Sequence, residues 1–318
     1  MSLKQPLIII AGPTATGKTD TAVALAEIIS GEIISADSMQ IYKFMNIGTA
    51  KPSKEEMCGI THYLMDELYP DEEYSAAIFT EKAKSHINDI VSRGKIPILC
   101  GGTGFYINAL LYDTEFCDTS ADQTLRKELA EFAAANGNKA LHNRLAAVDP
   151  EYALTVHENN VKRVIRALEY YTLTGTKFSF HNKVEKEKNM AYNASMVVLT
   201  RQRDKLYEGI DRRVGKMFSA GLAEEVENLF KMGYNANLVS MQGLGYKETA
   251  KYLSGEWTLE QATKAIKKGT RHFAKRQLTW FSGQGQKEDL WIDMDKINDG
   301  GKSWQRAAQI IKESYLTK

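Results

Sequence analysis

The residues with the clearest chemistry are Gly12-Pro13-Thr14-Ala15-Thr16-Gly17-Lys18-Thr19, which match the spacing G-x-x-x-x-G-K-[ST]. The glycines let backbone N–H groups wrap around phosphate oxygens, and a helix starting at the end of the loop adds the positive end of its dipole. Lys18 supplies a cation. The Thr19 hydroxyl is a hard oxygen donor suited to magnesium, so Mg2+ is the expected cofactor. The segment predicts a site for a di- or polyphosphate. By itself it leaves open whether the phosphates are the group transferred or the group that leaves.

Such a loop works only between a strand and a helix. The apolar run Leu7 to Ala11 precedes it, and Thr21 to Ala26 follows with apolar residues at helical spacing. A second short strand, Gly31 to Ala36, delivers Asp37-Ser38-Met39-Gln40-Ile41-Tyr42 at its C-terminal end. In open α/β sheets that edge is where ligands bind, so Asp37 either caps a turn there or serves the site. Asn46 to Pro52 reads as a loop, and Ser75 to Val91 as a helix with Ala76, Ala77, Phe79, Ala83 and Ile87 inward. A third strand, Lys95 to Cys100, ends in Gly101-Gly102-Thr103-Gly104-Phe105-Tyr106, where paired glycines predict close backbone approach.

From about Thr119 to Lys188 the pattern turns helical (123–136, 140–148, 160–174) and closes with a polar tail, 183–189. The strand Ser195 to Leu199 then returns, followed by helical segments at 205–217, 223–232 and 261–281. The fold class read from this order is α/β: a P-loop parallel sheet flanked by helices, with an inserted all-helical subdomain. The expected division is a core in two parts, 1–118 and 190–318, around a helical insertion at 119–189.

The chain has 318 residues, 43% hydrophobic and 25% charged, as expected of a globular protein with a substantial core. Its start lacks a signal-peptide pattern and no apolar run approaches a membrane span, so the expected location is the cytoplasm. Cys58, Cys100 and Cys117 show neither paired nor metal-ligand spacing and are expected to be buried free thiols. A net charge of +1 excludes a generally basic nucleic-acid binder but not a local basic face. Two such faces stand out. Lys162, Arg163 and Arg166 share one predicted helix. Lys264, Lys267, Lys268, Arg271, Lys275 and Arg276 lie in a stretch with no carboxylate between Glu260 and Glu288, and 264, 268, 271 and 275 fall on one helical face. Neighbouring like charges cost a few tenths of a kcal/mol each unless something neutralises them, and a phosphate backbone would do so. Trp280 and Phe281 beside the stripe are either core or a stacking surface for bases.

A phosphate cradle, a carboxylate opposite it and a basic ridge fit a small-molecule kinase, a transferase with a diphosphate leaving group, or a nucleic-acid-dependent ATPase. The ATPase ranks third, since no apolar run closes in Asp-Glu.

Seven segments carry a more specific signal: 12–19, 37–42, 46–52, 101–106, Lys162 to Glu169, Gly243-Leu244-Gly245-Tyr246-Lys247-Glu248, and Ala274 to Trp280. In order they resemble the signatures of bacterial tRNA dimethylallyltransferases, over residues 7–282. Asn46 and Asn160 stand where that family has Asp, which bears on local hydrogen bonds. The resemblance implies transfer of a dimethylallyl group from dimethylallyl diphosphate to N6 of adenine 37 in the tRNA anticodon stem-loop. Asp37 takes the proton of the poorly nucleophilic amino group, and its carboxyl, with an ordinary pKa of about 3.9, is ionised at neutral pH. The P-loop, Thr19 with magnesium, and Arg213 stabilise the departing diphosphate. The implied tRNA contacts are Asp37, Ser38, Met39, Gln40, Thr103, Arg126, Lys162, Arg163, Arg166, Gly245, Tyr246, Lys247, Lys275, Arg276 and Gln277. Because the target base is stacked in a loop, it has to be extruded into the site. No partner chain is needed, so a monomer is expected. A related class that prenylates free adenine nucleotides needs neither the insertion nor the stripe.

Overall fold

The computed structural model describes residues 4–116, 123–284, 289–297 and 301–317. Cys117 and the expected 118/119 boundary lie outside them. In chain order the first unit opens with β1 (Pro6–Ala11), α1 (Lys18–Ile29), β2 (Gly31–Ala36), β3 (His62–Tyr63), α2 (Ala76–Ser92), β4 (Ile96–Gly101) and α3 (Gly104–Leu111). Five helices follow: α4 (Gln123–Asn136), α5 (Asn138–Val148), α6 (Pro150–Ala153), α7 (Val161–Thr174) and α8 (Phe178–Glu187). The chain then returns through β5 (Asn193–Thr200), α9 (Arg203–Ser219), α10 (Leu222–Lys231), α11 (Tyr246–Leu253), α12 (Leu259–Gln284), β6 (Leu290–Asp293) and α13 (Ser303–Leu316). Two compact units result, Met1–Leu111 with Ala191–Lys318, and Tyr112–Met190.

The first unit is a six-stranded sheet in the order β3-β2-β4-β1-β5-β6 with every pairing parallel. A parallel sheet is covered on both faces, and this explains why Leu7 to Ala11 is an unbroken apolar run with every residue at 0% exposure. One face packs on α1 and α13, with Ile8, Ile10, Leu25, Val197 and Ile311 in one cluster. The apolar spacing of α2 holds: Ala76, Phe79, Ala83 and Ile87 are buried, Ala77 is only half-buried, and Ser75 caps the helix by accepting from the Ile78 amide. The second unit has its own core, with Leu141, Leu145, Val164 and Ala167 at its centre. The polar stretch from Lys183 is not a free tail: α8 runs through Glu187, and Lys188 pairs with Glu185 at 2.8 Å.

Two cysteine expectations change. Cys58 is exposed rather than buried, at a left-handed turn position (φ 50°), and Cys100 is half-buried in β4. Both are free thiols.

At the end of the sheet away from the P-loop, Glu32 staples β2 to its neighbours. Its buried carboxylate accepts from Arg93 Nη1 and Nη2 (2.8 and 2.6 Å), Lys95 Nζ (2.6 Å) and the Tyr63 hydroxyl (2.8 Å). The hydrogen bonds from Arg93 are the main cause holding its pKa down at about 2, against an ordinary 4.5. A carboxyl depressed on folding contributes stability that is complete above the ordinary value and is lost as pH falls toward the folded one. Glu32→Gln should therefore lower stability at neutral pH and flatten the stability curve between about pH 4.5 and about pH 2, as read by urea denaturation across that range.

Candidate active site

Three adjacent strands end level with one another. Ala11 pairs with Gly101 across β1 and β4, and Ala36 pairs with Gly101 across β2 and β4. The loops that leave them, 12–17, 37–40 and 102–103, therefore open on one edge of the sheet. Their approach is close: a Cβ on Gly101 would lie 2.2 Å from the Ala36 carbonyl oxygen, which no side chain tolerates.

The P-loop has the form its spacing predicts. Gly17 (φ 89°) precedes the first residue of α1, so the helix amides face the loop. Thr16 is fully buried and its hydroxyl donates to the Pro13 carbonyl at 2.9 Å. Lys18 Nζ donates to the same carbonyl at 2.8 Å. Burial pushes the Lys18 pKa down to about 8; nearby Arg213 lowers it further, while the Asp37 carboxylate favours the charge. Cys100 beside it is pushed up to about 12, chiefly by burial, and stays a neutral thiol. Arg213, from α9, reaches across to donate from Nη1 to Thr14 Oγ1 at 3.0 Å, while Arg212 is exposed. Burial lowers the Arg213 pKa, with Asp37, Asp20 and Glu56 opposing it. A guanidinium keeps its charge under such shifts.

The Thr19 hydroxyl makes no protein hydrogen bond among the described residues, whereas those of Thr16 and Thr21 are both used. Magnesium takes most of its octahedral shell from water and phosphate oxygens. One hydroxyl beside a phosphate loop is a donor set that fits it.

Asp37 caps its own turn. Its Oδ1 accepts from the Met39 amide at 2.8 Å and the Gln40 amide at 3.4 Å, and Oδ2 has no protein partner among the described residues. The turn-capping reading thus holds for one oxygen, and it leaves the other oxygen for the functional reading. Thr103 donates its amide to the Ala36 carbonyl at 3.2 Å and sits half-buried at the start of α3. Ser38 and Met39 are half-buried, with the Met39 methyl packed on Gly243.

Several residues expected on an RNA-facing surface lie inside the fold. Tyr246 is fully buried; its ring covers Gly48 and its hydroxyl donates to Glu225 Oε1 at 2.7 Å. Gly245, left-handed at φ 97°, is the buried start of α11. The Gln40 amide accepts from the Ser35 hydroxyl at 2.9 Å and donates toward the Thr49 and Ala50 carbonyls. Gln277 is 7% exposed and its amide bonds only to main chain. Phe281 is core, and Trp280 lies against Gly104. Tyr246, Gln277 and Trp280 share a physical reason: each fits against a glycine that offers no side chain of its own.

The basic segments divide. On α12, Lys264, Lys268, Lys275 and Arg276 are exposed, but Arg271 pairs with Asp211 of α9 and stacks over Tyr207. The stripe thus has a local carboxylate that its own helix does not reveal. In the second unit, Arg126 (2.7 Å) and Arg166 (2.9 Å) share the buried carboxylate of Glu169, whereas Lys162 and Arg163 are exposed. Lys247 is exposed beside Glu248 at 3.8 Å.

Glu225 of α10 carries no sequence signal, yet it organises the loop after Tyr42. Its Oε2 accepts from the Asn46 and Ile47 amides, both at 2.8 Å, and Oε1 from the Gly48 amide at 3.1 Å. Three successive amides around one carboxylate form an anion nest filled from within. Asn46 keeps a role too: its Oδ1 accepts from Lys51 Nζ at 2.9 Å, and Lys51 also donates to the Tyr42 carbonyl and Asp66.

A family model described as IPP transferase matches residues 40–284. The chain is 48% identical over 314 residues to the tRNA dimethylallyltransferase of Lachnoclostridium phytofermentans, covering 99% of this chain and 100% of that one. It is 49% identical over 296 residues to that of Acetivibrio thermocellus, covering 93% and 94%. Among solved structures, the full-length tRNA isopentenylpyrophosphate transferase of Bacillus halodurans aligns at a TM-score of 0.73 with 42% identity, covering 99% and 98%. A eukaryotic dimethylallyltransferase acting on tRNA aligns at 0.82 with 29% identity, covering 98% and 80%.

The nest gives a direct test. Glu225→Ala leaves three amides and a buried tyrosine hydroxyl without an acceptor, and should cost roughly 1–3 kcal/mol in urea denaturation, with faster amide exchange confined to residues 46–48.

Proposed function

The chain belongs to the IPP transferase family, and from that premise we propose that it transfers a dimethylallyl group from dimethylallyl diphosphate to N6 of adenine 37 of tRNA, releasing diphosphate. The observation that carries this reading is the level ending of β1, β4 and β2, which sets the P-loop cations and the Asp37 carboxylate on one sheet edge. A kinase needs the loop to hold a nucleotide. A transferase of this kind needs it to hold a leaving group opposite a base.

In this reading the diphosphate lies on the P-loop amides, with Lys18 and Arg213 as its cations. Magnesium, when bound at the Thr19 hydroxyl, neutralises charge on the diphosphate oxygens. As the allylic C–O bond breaks, negative charge grows on the diphosphate, and donors already fixed around it stabilise that charge without reorganising. The adenine amino group forms the new C–N bond, and its proton passes to Asp37 Oδ2. The turn amides on Oδ1 hold the carboxylate in place while it acts. Thr103, on the loop after β4, would meet the entering base.

The exposed cations, Lys275 and Arg276 on α12 and Lys162 and Arg163 on α7, fit phosphates of the anticodon stem-loop. Arg126 and Arg166 hold Glu169 and would reach RNA only with the charge left over. No described helix is long and apolar enough to cross a membrane; a tRNA substrate points to the cytoplasm. Lys18, Asp37, Thr103 and Arg213 come from one chain, so a monomer carries the complete set.

Incubation of unmodified tRNA with labelled dimethylallyl diphosphate and Mg2+, without ATP, should place label in tRNA at adenine 37; label absent from tRNA, or a requirement for ATP, would overturn the reading. Asp37→Ala should keep tRNA affinity and lose about 10²- to 10⁴-fold in single-turnover transfer. Lys275→Ala with Arg276→Ala should weaken tRNA binding and reduce the salt slope of its affinity by up to about 2, with an unchanged slope marking these side chains as merely solvated.

A further inference from the structure

Gln277 is a glutamine on a basic, exposed helix whose side chain nonetheless turns inward. It is 7% exposed, and both ends of its amide are used. Oε1 accepts from the Thr14 amide of the P-loop at 3.0 Å, and Nε2 donates to the Gly102 carbonyl at 2.9 Å. The two partners lie on different loops, after β1 and β4. The fit depends on glycine at 102, since a Cβ there would lie 2.0 Å from Nε2 and displace the amide.

From Gly102 the connection continues. Thr103 donates its amide to the Ala36 carbonyl, one residue before Asp37. From Thr14 it extends the other way, through Oγ1 to Arg213 Nη1. Hydrogen bonds and short backbone steps thus connect Arg213 with the residue before Asp37, and Gln277 is the side chain in this connection that joins the two loops. The same helical stretch seats Trp280 against Gly104, the first residue of α3, and keeps Ala274 and Phe281 in the core. On its outer side Lys275 and Arg276 are exposed.

We propose that Gln277 is a positioning residue that holds the Thr14 corner of the diphosphate loop in register with the Gly102–Thr103 loop, so that leaving group and acceptor base meet in line. This rests on the transferase reading of the site above. The amide is suited to it because it offers one acceptor and one donor at fixed separation. An apolar side chain of similar size offers neither, leaving the half-buried Thr14 N–H unpaired, the Gly102 carbonyl with the Gly104 amide alone, and the two loops without this link. Misplacement of reacting groups by about 1 Å costs about 10²-fold in rate. The expected effect therefore falls on turnover and on the donor side, not on RNA affinity.

The test compares the full-length wild type with Gln277→Leu and Gln277→Glu. Three quantities are measured: the affinity for inorganic diphosphate with Mg2+ in the absence of tRNA, the dissociation constant for unmodified tRNA, and kcat for transfer at saturating substrates. Q277L should lower kcat by about tenfold or more and weaken diphosphate binding, with tRNA affinity unchanged. In Q277E the carboxylate still accepts from Thr14 but has no proton for the Gly102 carbonyl. Its kcat relative to wild type should rise as pH falls from about 8 to about 5.5, as a carboxyl near its ordinary range begins to protonate. A folded Q277L with wild-type kcat and diphosphate affinity overturns the proposal, as does loss of tRNA affinity alone, which would make Gln277 an RNA reader. If Q277L does not fold, Q277E decides: a ratio to wild type that is flat across pH overturns the proposal. If the wild type puts no label into tRNA, the transferase reading fails, while the diphosphate comparison still judges the link between the loops.

Discussion

Everything at this site depends on how closely three backbones approach at the ends of β1, β4 and β2. The centre of that approach is Gly101, whose α-hydrogen faces the Ala36 carbonyl where a methyl group would collide. With no side chain between them, the strands end level, and the loops that follow start from one line. Gly102 repeats the device one residue later to admit the Gln277 amide, and Gly48 does so to admit the Tyr246 ring. Three glycines of the characteristic segments thus serve as sockets: Gly48, Gly102 and Gly104 receive Tyr246 of α11 and Gln277 and Trp280 of α12, and that is how helices far along the chain come to brace loops near its start.

This explains which parts were legible in the sequence. The P-loop is a local motif whose strand, loop and helix are contiguous, so its geometry follows from its spacing. The strand ends at Ala36 and Cys100 were readable for the same reason, as apolar runs closed by polar or glycine residues. Long-range pairings were not. Nothing near Glu225 marks it as the acceptor for amides about 180 residues earlier in the chain, and the glutamine at 277 looks like a surface residue until its two backbone partners are known. The burial of Tyr246 is equally long-range: its ring fills the space that Gly48 leaves, about 200 residues earlier in the chain. The two-residue strand β3 and the four-residue β6 are too short to show periodicity. They exist because β2 and β5 offer unpaired edges.

The charged residues divide by whether tertiary structure supplies a counter-charge. Arg271 finds Asp211, and Arg126 and Arg166 converge on Glu169, whose burial would be prohibitive without them. Each of those carboxylates lies on a different helix from at least one of its cations, so a helix read alone overstates its basicity. What is left exposed is narrower than the sequence stripe: Lys264, Lys268, Lys275 and Arg276 on α12, and Lys162 and Arg163 on α7. Each unit thus keeps a small group of exposed cations without making the chain as a whole a polycation, in keeping with its near-zero net charge.

At the phosphate loop, Lys18 and Arg213 also lack such a partner. Neither forms an ion pair with a carboxylate among the described residues; Lys18 donates to a carbonyl and Arg213 to a hydroxyl. Burial lowers the pKa of both, so each holds its charge at a greater cost than it would in water. An arriving diphosphate relieves that cost, and the relief grows with the negative charge on its oxygens. In the proposed reaction, where the diphosphate departs, that charge is larger in the transition state than in the bound donor, so the same two cations would favour the transition state over the ground state. On that proposal Asp37 complements them from the other loop. Its Oδ2 would meet a proton whose acidity rises only as the new C–N bond forms, so both halves of the site would act most strongly at the same point along the reaction.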